Sequence, residues 1–225
     1  MKVGLIVGLA FRAGVFYYDQ IVRKIVERDI TPEIMLNHAD AGKVLKLVGE
    51  RDKDKLGIYL GTLANELFAG GAELVAITAV APHVAIEEIQ RVALGPIVDV
   101  LGVVADGIAA AGLDRVAVFG NRAVIETDIF GAVPQTAVVR LSPGDVDRVH
   151  ATYSDIALQG KCGTQPETDL LRAVARGLVD GQGTQAIVLA GTDLSSFYAD
   201  TVPDYPFLDV ARRHVDEIVR RAVSL

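Results

Sequence analysis

The feature that most restricts the fold of this chain is a repeat. Lys2-Val3-Gly4-Leu5-Ile6-Val7-Gly8 recurs as Arg115-Val116-Ala117-Val118-Phe119-Gly120, and Ala72-Glu73-Leu74-Val75-Ala76-Ile77-Thr78 recurs as Thr184-Gln185-Ala186-Ile187-Val188-Leu189-Ala190. Pro96-Ile97-Val98-Asp99-Val100 returns as Pro206-Phe207-Leu208-Asp209-Val210, which sets the copies about 111 residues apart. Valine-rich strands match one another cheaply. A Pro-x-x-Asp-Val at the corresponding place in both copies is harder to produce by accident, and it marks an internal duplication.

The repeat is carried by short β-branched runs that alternate with longer amphipathic stretches. Strands are predicted at 3–7, 33–36, 74–78 and 97–100, then at 116–119, 137–141, 186–189 and 207–210. The runs are continuously apolar rather than alternating, as parallel strands covered on both faces must be. Helical patterns lie between them, at 17–27, 53–69, 86–92 and 103–111, with a last one at 211–223. This alternation predicts an α/β chain of two parallel-sheet halves related by a pseudo-twofold axis. The halves are expected at 1–100 plus 207–225 and at 101–206, because the last helix is expected to pack back on the first half. Open parallel sheets bind ligands at the C-terminal ends of their strands. An active cleft is therefore expected between the halves, reached by the loops after Val7, Thr78, Phe119 and Ala190.

Composition excludes several partners. A net charge of −7 with no block of Lys or Arg argues against nucleic acid or an anionic membrane. No apolar run approaches the roughly 18 residues needed to span a bilayer. The opening Met1-Lys2-Val3-Gly4-Leu5-Ile6-Val7-Gly8 is too short to be a secretory leader, and Phe11-Arg12 follows where small residues would be needed for cleavage. One cysteine, Cys162, permits no internal disulfide, in keeping with a cytoplasmic location. The four histidines (His38, His83, His150 and His214) show no metal-ligand spacing, and the first glycine loop fits no nucleotide-binding pattern, so no metal and no cofactor are expected.

At the strand-end loops the sequence resembles the aspartate/glutamate racemase family, the Asp/Glu/hydantoin racemase superfamily, nearly end to end. Gly8-Leu9-Ala10-Phe11-Arg12-Ala13-Gly14-Val15-Phe16-Tyr17-Tyr18 resembles its opening glycine loop and first helix. Glu73 to Gln90 resembles its first catalytic segment: a strand, a Cys-Asn-Thr-type turn, a histidine and a helix with Glu-Ile-Gln. Gly120-Asn121-Arg122 resembles the Gly-Thr-Arg turn of the second half, and Gly160-Lys161 with Glu167-Thr168 resembles a substrate-covering segment. Leu189-Ala190-Gly191-Thr192-Asp193-Leu194 is similar to the second catalytic turn, which is usually Gly-Cys-Thr-Glu-Leu. Pro206-Phe207-Leu208-Asp209 and His214 resemble the final strand and helix.

The resemblance implies a cofactor-independent enzyme, often a homodimer, that inverts an amino acid with two cysteines, one removing the α-proton and the other returning it. Here the departures govern. Ala79 stands at the first cysteine position and Gly191 at the second, with Val80-Ala81-Pro82 in place of Asn-Thr-Ala. Neither a methyl group nor a hydrogen exchanges protons, so the two-thiol route is closed.

The remaining candidates each carry two readings. Thr192 and Asp193 match the family's substrate-binding Thr-Glu pair, and either would also cap a helix. Asn121 offers the same choice. Thr78 and Thr192 are the nearest hydroxyls to the empty positions, but a hydroxyl is a poor base unless another group takes its proton. His83 titrates near neutrality and matches a family histidine at a helix start, where the dipole depresses its protonation; a capping or surface role is the alternative. Lys161 would neutralise a substrate carboxylate or lie solvated, and Arg12 would reach an anion or sit exposed in its loop. Cys162 lies outside both strand-end turns. The reading is an isomerase or lyase acting on a small carboxylate or amino acid by a route without thiols, with His83 and Asp193 as proton-transfer candidates. A carboxylate-binding protein without catalysis, or a scaffold subunit, is the alternative.

Overall fold

The computed structural model describes residues 1–10 and 12–224; Phe11, in the opening glycine loop, lies outside the described residues. The chain forms two compact units, Met1–Val100 with His214–Leu225, and Leu101–Arg213.

In the first unit, strand β1 (Val3–Val7) leads to helix α1 (Ala13–Val26), β2 (Ile34–His38), α2 (Ala41–Glu50), α3 (Lys53–Ala69) and β3 (Leu74–Ile77). A 3-10 turn at Ala81–Ala85, α4 (Ile86–Val92) and β4 (Ile97–Val98) follow. All strand pairs are parallel, in the order β2-β1-β3-β4. Every residue of β1 and β3 is buried, which is why both runs are apolar throughout. The core on one side of the sheet joins Ile6, Val75 and Ile77 to Leu56 and Leu60 of α3 and Ile89 of α4. Helix starts follow the local chemistry: the Asp40 side chain accepts from Lys43 N–H and Asp52 from Lys55 N–H.

In the second unit, α5 (Val100–Ala110) enters from the first and precedes β5 (Val116–Phe119), α6 (Arg122–Glu126), α7 (Pro143–Gln159) and α8 (Gln165–Gln182). Strand β6 (Ala186–Leu189), α9 (Thr192–Phe197), β7 (Phe207–Asp209) and α10 (Val210–Val223) complete the chain. The sheet is parallel, β5-β6-β7.

Two expectations need correction. The run 137–141 is not a strand of the sheet; only Val138 bridges β5, opposite Val116. The chain turns away at once because Ser142 accepts from Asp145 N–H and Pro143 opens α7, so the segment is committed to a helix start. The return to the first unit also comes later than residue 207. Strand β7 pairs with β6, and the units part within α10, after Arg213.

Candidate functional site

In parallel sheets the chemistry gathers at the C-terminal ends of the strands. In the first unit β1 ends at Gly8, whose φ of +84° belongs to the region glycine favours. The His38 ring covers it, so that a Cβ there would lie 2.3 Å from His38 Cε1. Arg12 is exposed at the N-cap position of α1, and its side chain makes no capping bond. Strand β3 ends at Thr78, a buried residue whose hydroxyl donates to Ile6 O at 3.1 Å, so its proton serves the sheet. Ala79 follows, 8% exposed.

His83 lies four residues on, in the 3-10 turn, and is fully enclosed. Of the two readings of His83, the surface role does not fit this enclosure. Its Nδ1 donates to Ala79 O at 2.8 Å, so the neutral ring carries its proton there, and Nε2 is left buried without a partner. Burial, rather than a helix dipole, is the chief cause that lowers its pKa, with the charge of Asp99 opposing. Its neighbour is His214 of α10, with ring centroids 6.1 Å apart and edge to face. His214 Nε2 donates to Val98 O at 3.1 Å and its Nδ1 accepts from Tyr17 Oη at 3.0 Å, which fixes the tautomer. Burial first, then repulsion from His83, hold the His214 imidazolium down to about 3.

In the second unit, β5 ends at Gly120-Asn121. Asn121 Oδ1 accepts from Val124 N–H at 3.0 Å, so its oxygen caps α6. Lys161 Nζ donates to Glu167 Oε1 at 2.5 Å, and Thr164 Oγ1 donates to Glu167 Oε2 at 2.5 Å. The hydrogen bond to Glu167 raises the Lys161 pKa, and the reciprocal bond lowers that of Glu167. The lysine is thus neutralised within its own segment rather than awaiting a ligand. That segment is tied to α9 by Gly163 N–H donating to Phe197 O at 3.0 Å, and Cys162 within it is exposed.

The turn after β6 is the densest in function-bearing groups. Thr192 and Asp193 open α9 and are each only 2% exposed. Gly191 before them has φ −108° and ψ 117°, a backbone any residue adopts. What excludes a side chain is Tyr153 of α7: a Cβ on Gly191 would lie 2.1 Å from its Cε2 and 2.8 Å from its Cζ. The half-buried ring stands over the place that a side chain at 191 would start from, and its hydroxyl lies 3.5 Å from Asp193 Oδ2. Burial, and then the charge of Asp193, raise the Tyr153 pKa well above its ordinary value. Two residues beyond Asp193, the buried Ser195 hydroxyl donates to Asp209 Oδ1 at 2.6 Å, which also accepts from Arg212 N–H at 2.9 Å. Burial raises the Asp209 pKa against those bonds.

The duplicated Pro-x-x-Asp-Val now has a physical reading. One aspartate follows β4 and the other ends β7, and each acts on the residue four positions after Ala79 or Gly191: Asp99 on His83, and Asp209 on Ser195. Sequence reasoning missed Tyr153 and Ser195. The sequence held no direct signal for the first beyond a glycine where the resemblance leads one to expect a side chain. A cavity of about 460 Å³ lies elsewhere in the second unit, beside Val139 and Pro143. The charges of Arg122, Glu126, Arg140 and Asp147 around it are paired with acids or bases of the same unit. Among the described residues no helix is long and apolar enough to cross a membrane, and no group of three His, Cys, Asp or Glu could hold a metal.

Two parallel α/β units with loaded turns at their strand ends define the class to which the racemase fold belongs. The model of the family described as Asp/Glu/hydantoin racemase matches residues 6–218, and the chain belongs to that family. Among solved structures it is similar to a candidate Asp/Glu racemase from Yersinia pestis, at 21% identity over 100% of both chains with a TM-score of 0.84. It is also similar to an aspartate racemase homologue from Pyrococcus horikoshii, with 20% identity, 98% of each chain covered and a TM-score of 0.76. The aspartate racemase of Picrophilus torridus matches at 15% identity over 99% of this chain and 94% of its own, again with a TM-score of 0.76.

Proposed function

We propose that the chain is an isomerase or lyase that moves a proton at carbon on a small carboxylate or amino acid, without a cofactor and without thiols. The observation that carries this reading is Asp193, an enclosed carboxylate two residues from Gly191, beside the Thr192 hydroxyl. A carboxylate so placed has the chemistry of a general base, and Thr192 that of a carboxylate partner. His83 is given a supporting role: its Nδ1 bond to Ala79 O stiffens the first strand-end turn. Lys161 would share its ammonium between Glu167 and a ligand.

The test is exchange of carbon-bound hydrogen in heavy water, read by NMR across amino, hydroxy and aryl dicarboxylic acids, after a thermal-shift screen. A ligand at 100 times its Kd stabilises by about 2.7 kcal/mol, which a thermal scan resolves. Enzyme-dependent exchange that disappears in Asp193→Asn supports the reading. Binding without exchange replaces it with that of a carboxylate-binding protein.

A further inference from the structure

We propose that Tyr153 is the catalytic group that stands in for the missing second thiol, donating a hydrogen bond to the oxygen of an enolate formed when Asp193 takes a proton from a small carboxylate. This rests on the reading above that the site moves a proton at carbon.

The argument begins with the glycine. At φ −108° and ψ 117° nothing in the backbone asks for glycine at 191, so the residue is there for what lies over it. What lies over it is an aromatic ring, with three of its carbons 2.1 to 2.8 Å from the place of a Cβ. The ring belongs to α7, whose Val149, Thr152 and Ile156 are buried, so the phenol is carried on a fixed helix rather than on a loop. Its hydroxyl points toward Asp193 across 3.5 Å, a bond long enough to be given up to a ligand oxygen.

A phenol does not do the work of a thiol. Enclosure and the neighbouring carboxylate hold Tyr153 protonated at any working pH, which suits a hydrogen-bond donor and excludes a base. A carboxylate acting as a base is ionised, so Asp193 in this role accepts and does not donate. The two roles divide accordingly. Asp193 forms an O–H bond as the substrate C–H bond breaks, the released electron pair moves onto the carbonyl oxygen, and the Tyr153 O–H meets the charge that develops there. Asp193 then exchanges that proton with solvent and returns a hydrogen taken from water to the same face of the carbon. No second proton carrier enters this scheme, so one base removes and returns the proton on one side of the carbon. The expected signature is exchange with retention of configuration, not inversion.

The experiment incubates a single enantiomer of aspartate or of malate with the protein in heavy water, scoring deuterium by NMR and configuration by chiral chromatography. Tyr153→Phe keeps the ring over Gly191, and a thermal scan confirms that the variant folds. We expect deuterated substrate of retained configuration, formed about 10²-fold more slowly by Tyr153→Phe. Exchange at the native rate in the variant overturns the assignment, and so does racemised product, which requires a second proton carrier. If the native protein exchanges nothing, the proposed function falls, and oxalate, a planar dianion shaped like the enolate, decides Tyr153 separately. Calorimetric binding of oxalate at least tenfold weaker in Tyr153→Phe retains the phenol as the ligand's partner. Equal binding, or none by either protein, removes it.

Discussion

The buried histidine pair of the first unit makes acid lability a quantitative expectation. His214 has both nitrogens engaged, donating to Val98 O and accepting from Tyr17, and its pKa is held from an ordinary 6.5 down to about 3. A group whose pKa is depressed by folding contributes stability above its unfolded pKa, and that stability is lost as pH falls toward the folded value. At pH 5 the unfolded chain binds this proton and the folded chain does not. The difference is about 2 kcal/mol at pH 5 and about 3 kcal/mol at pH 4. For a chain of this size that corresponds to a fall in Tm of about 4–8 °C between pH 7.5 and pH 5. His83, also pushed down by burial, adds in the same direction. Asp209, pushed up by burial, works the other way, so the slope of the native protein alone does not isolate the histidine. His214→Gln does. The amide can still donate to Val98 O and accept from Tyr17, but it does not titrate. Thermal scans at pH 7.5 and pH 5 should show the variant losing about 4–8 °C less than the native protein over that interval. Parallel losses would refute the claim that a neutral, enclosed His214 is part of the folded state.

Two further outcomes follow from the second unit. Gly191→Ala places a methyl within 2.1 Å of the Tyr153 ring, where carbon atoms prefer about 3.5–4.0 Å; the expected loss is about 1–3 kcal/mol, and Tyr153→Ala in the same chain should recover much of it in a thermal double-mutant cycle. Asn121→Ala removes the cap of α6 and should cost about 1 kcal/mol in chemical unfolding, whereas Asn121→Asp, which keeps the acceptor, should cost far less.

What could be read from the sequence is what local pattern determines. The strands at 3–7, 116–119 and 186–189 and the helices at 53–69 and 86–92 lie where their apolar runs and periods put them, because burial on both faces of a parallel sheet leaves that mark on the chain. The run at 137–141 has the same composition and fails as a strand, since the Ser142 cap and Pro143 claim its end and composition does not reveal that competition. Ala79 and Gly191 drew notice only through resemblance, as departures from the expected cysteines. The enclosure of His83 was not, because one histidine after a proline has no period from which to read its depth. Lys161 looked available because its partner, Glu167, sits across a turn that only the folded backbone closes. Tyr153 was the hardest to see. It reaches Gly191 from another element, and nothing in either stretch names the other.

The contact between Tyr153 and Gly191 also imposes an order on sequence change. With the ring in place, any side chain arriving at 191 meets occupied space, whatever chemistry it would bring. A cysteine placed in that turn is therefore penalised before it can be used, and it becomes tolerable only after residue 153 has become small. That first step leaves a void over a glycine and removes the phenol together. A change at either position alone meets a clash or leaves a void, so the two residues constrain each other.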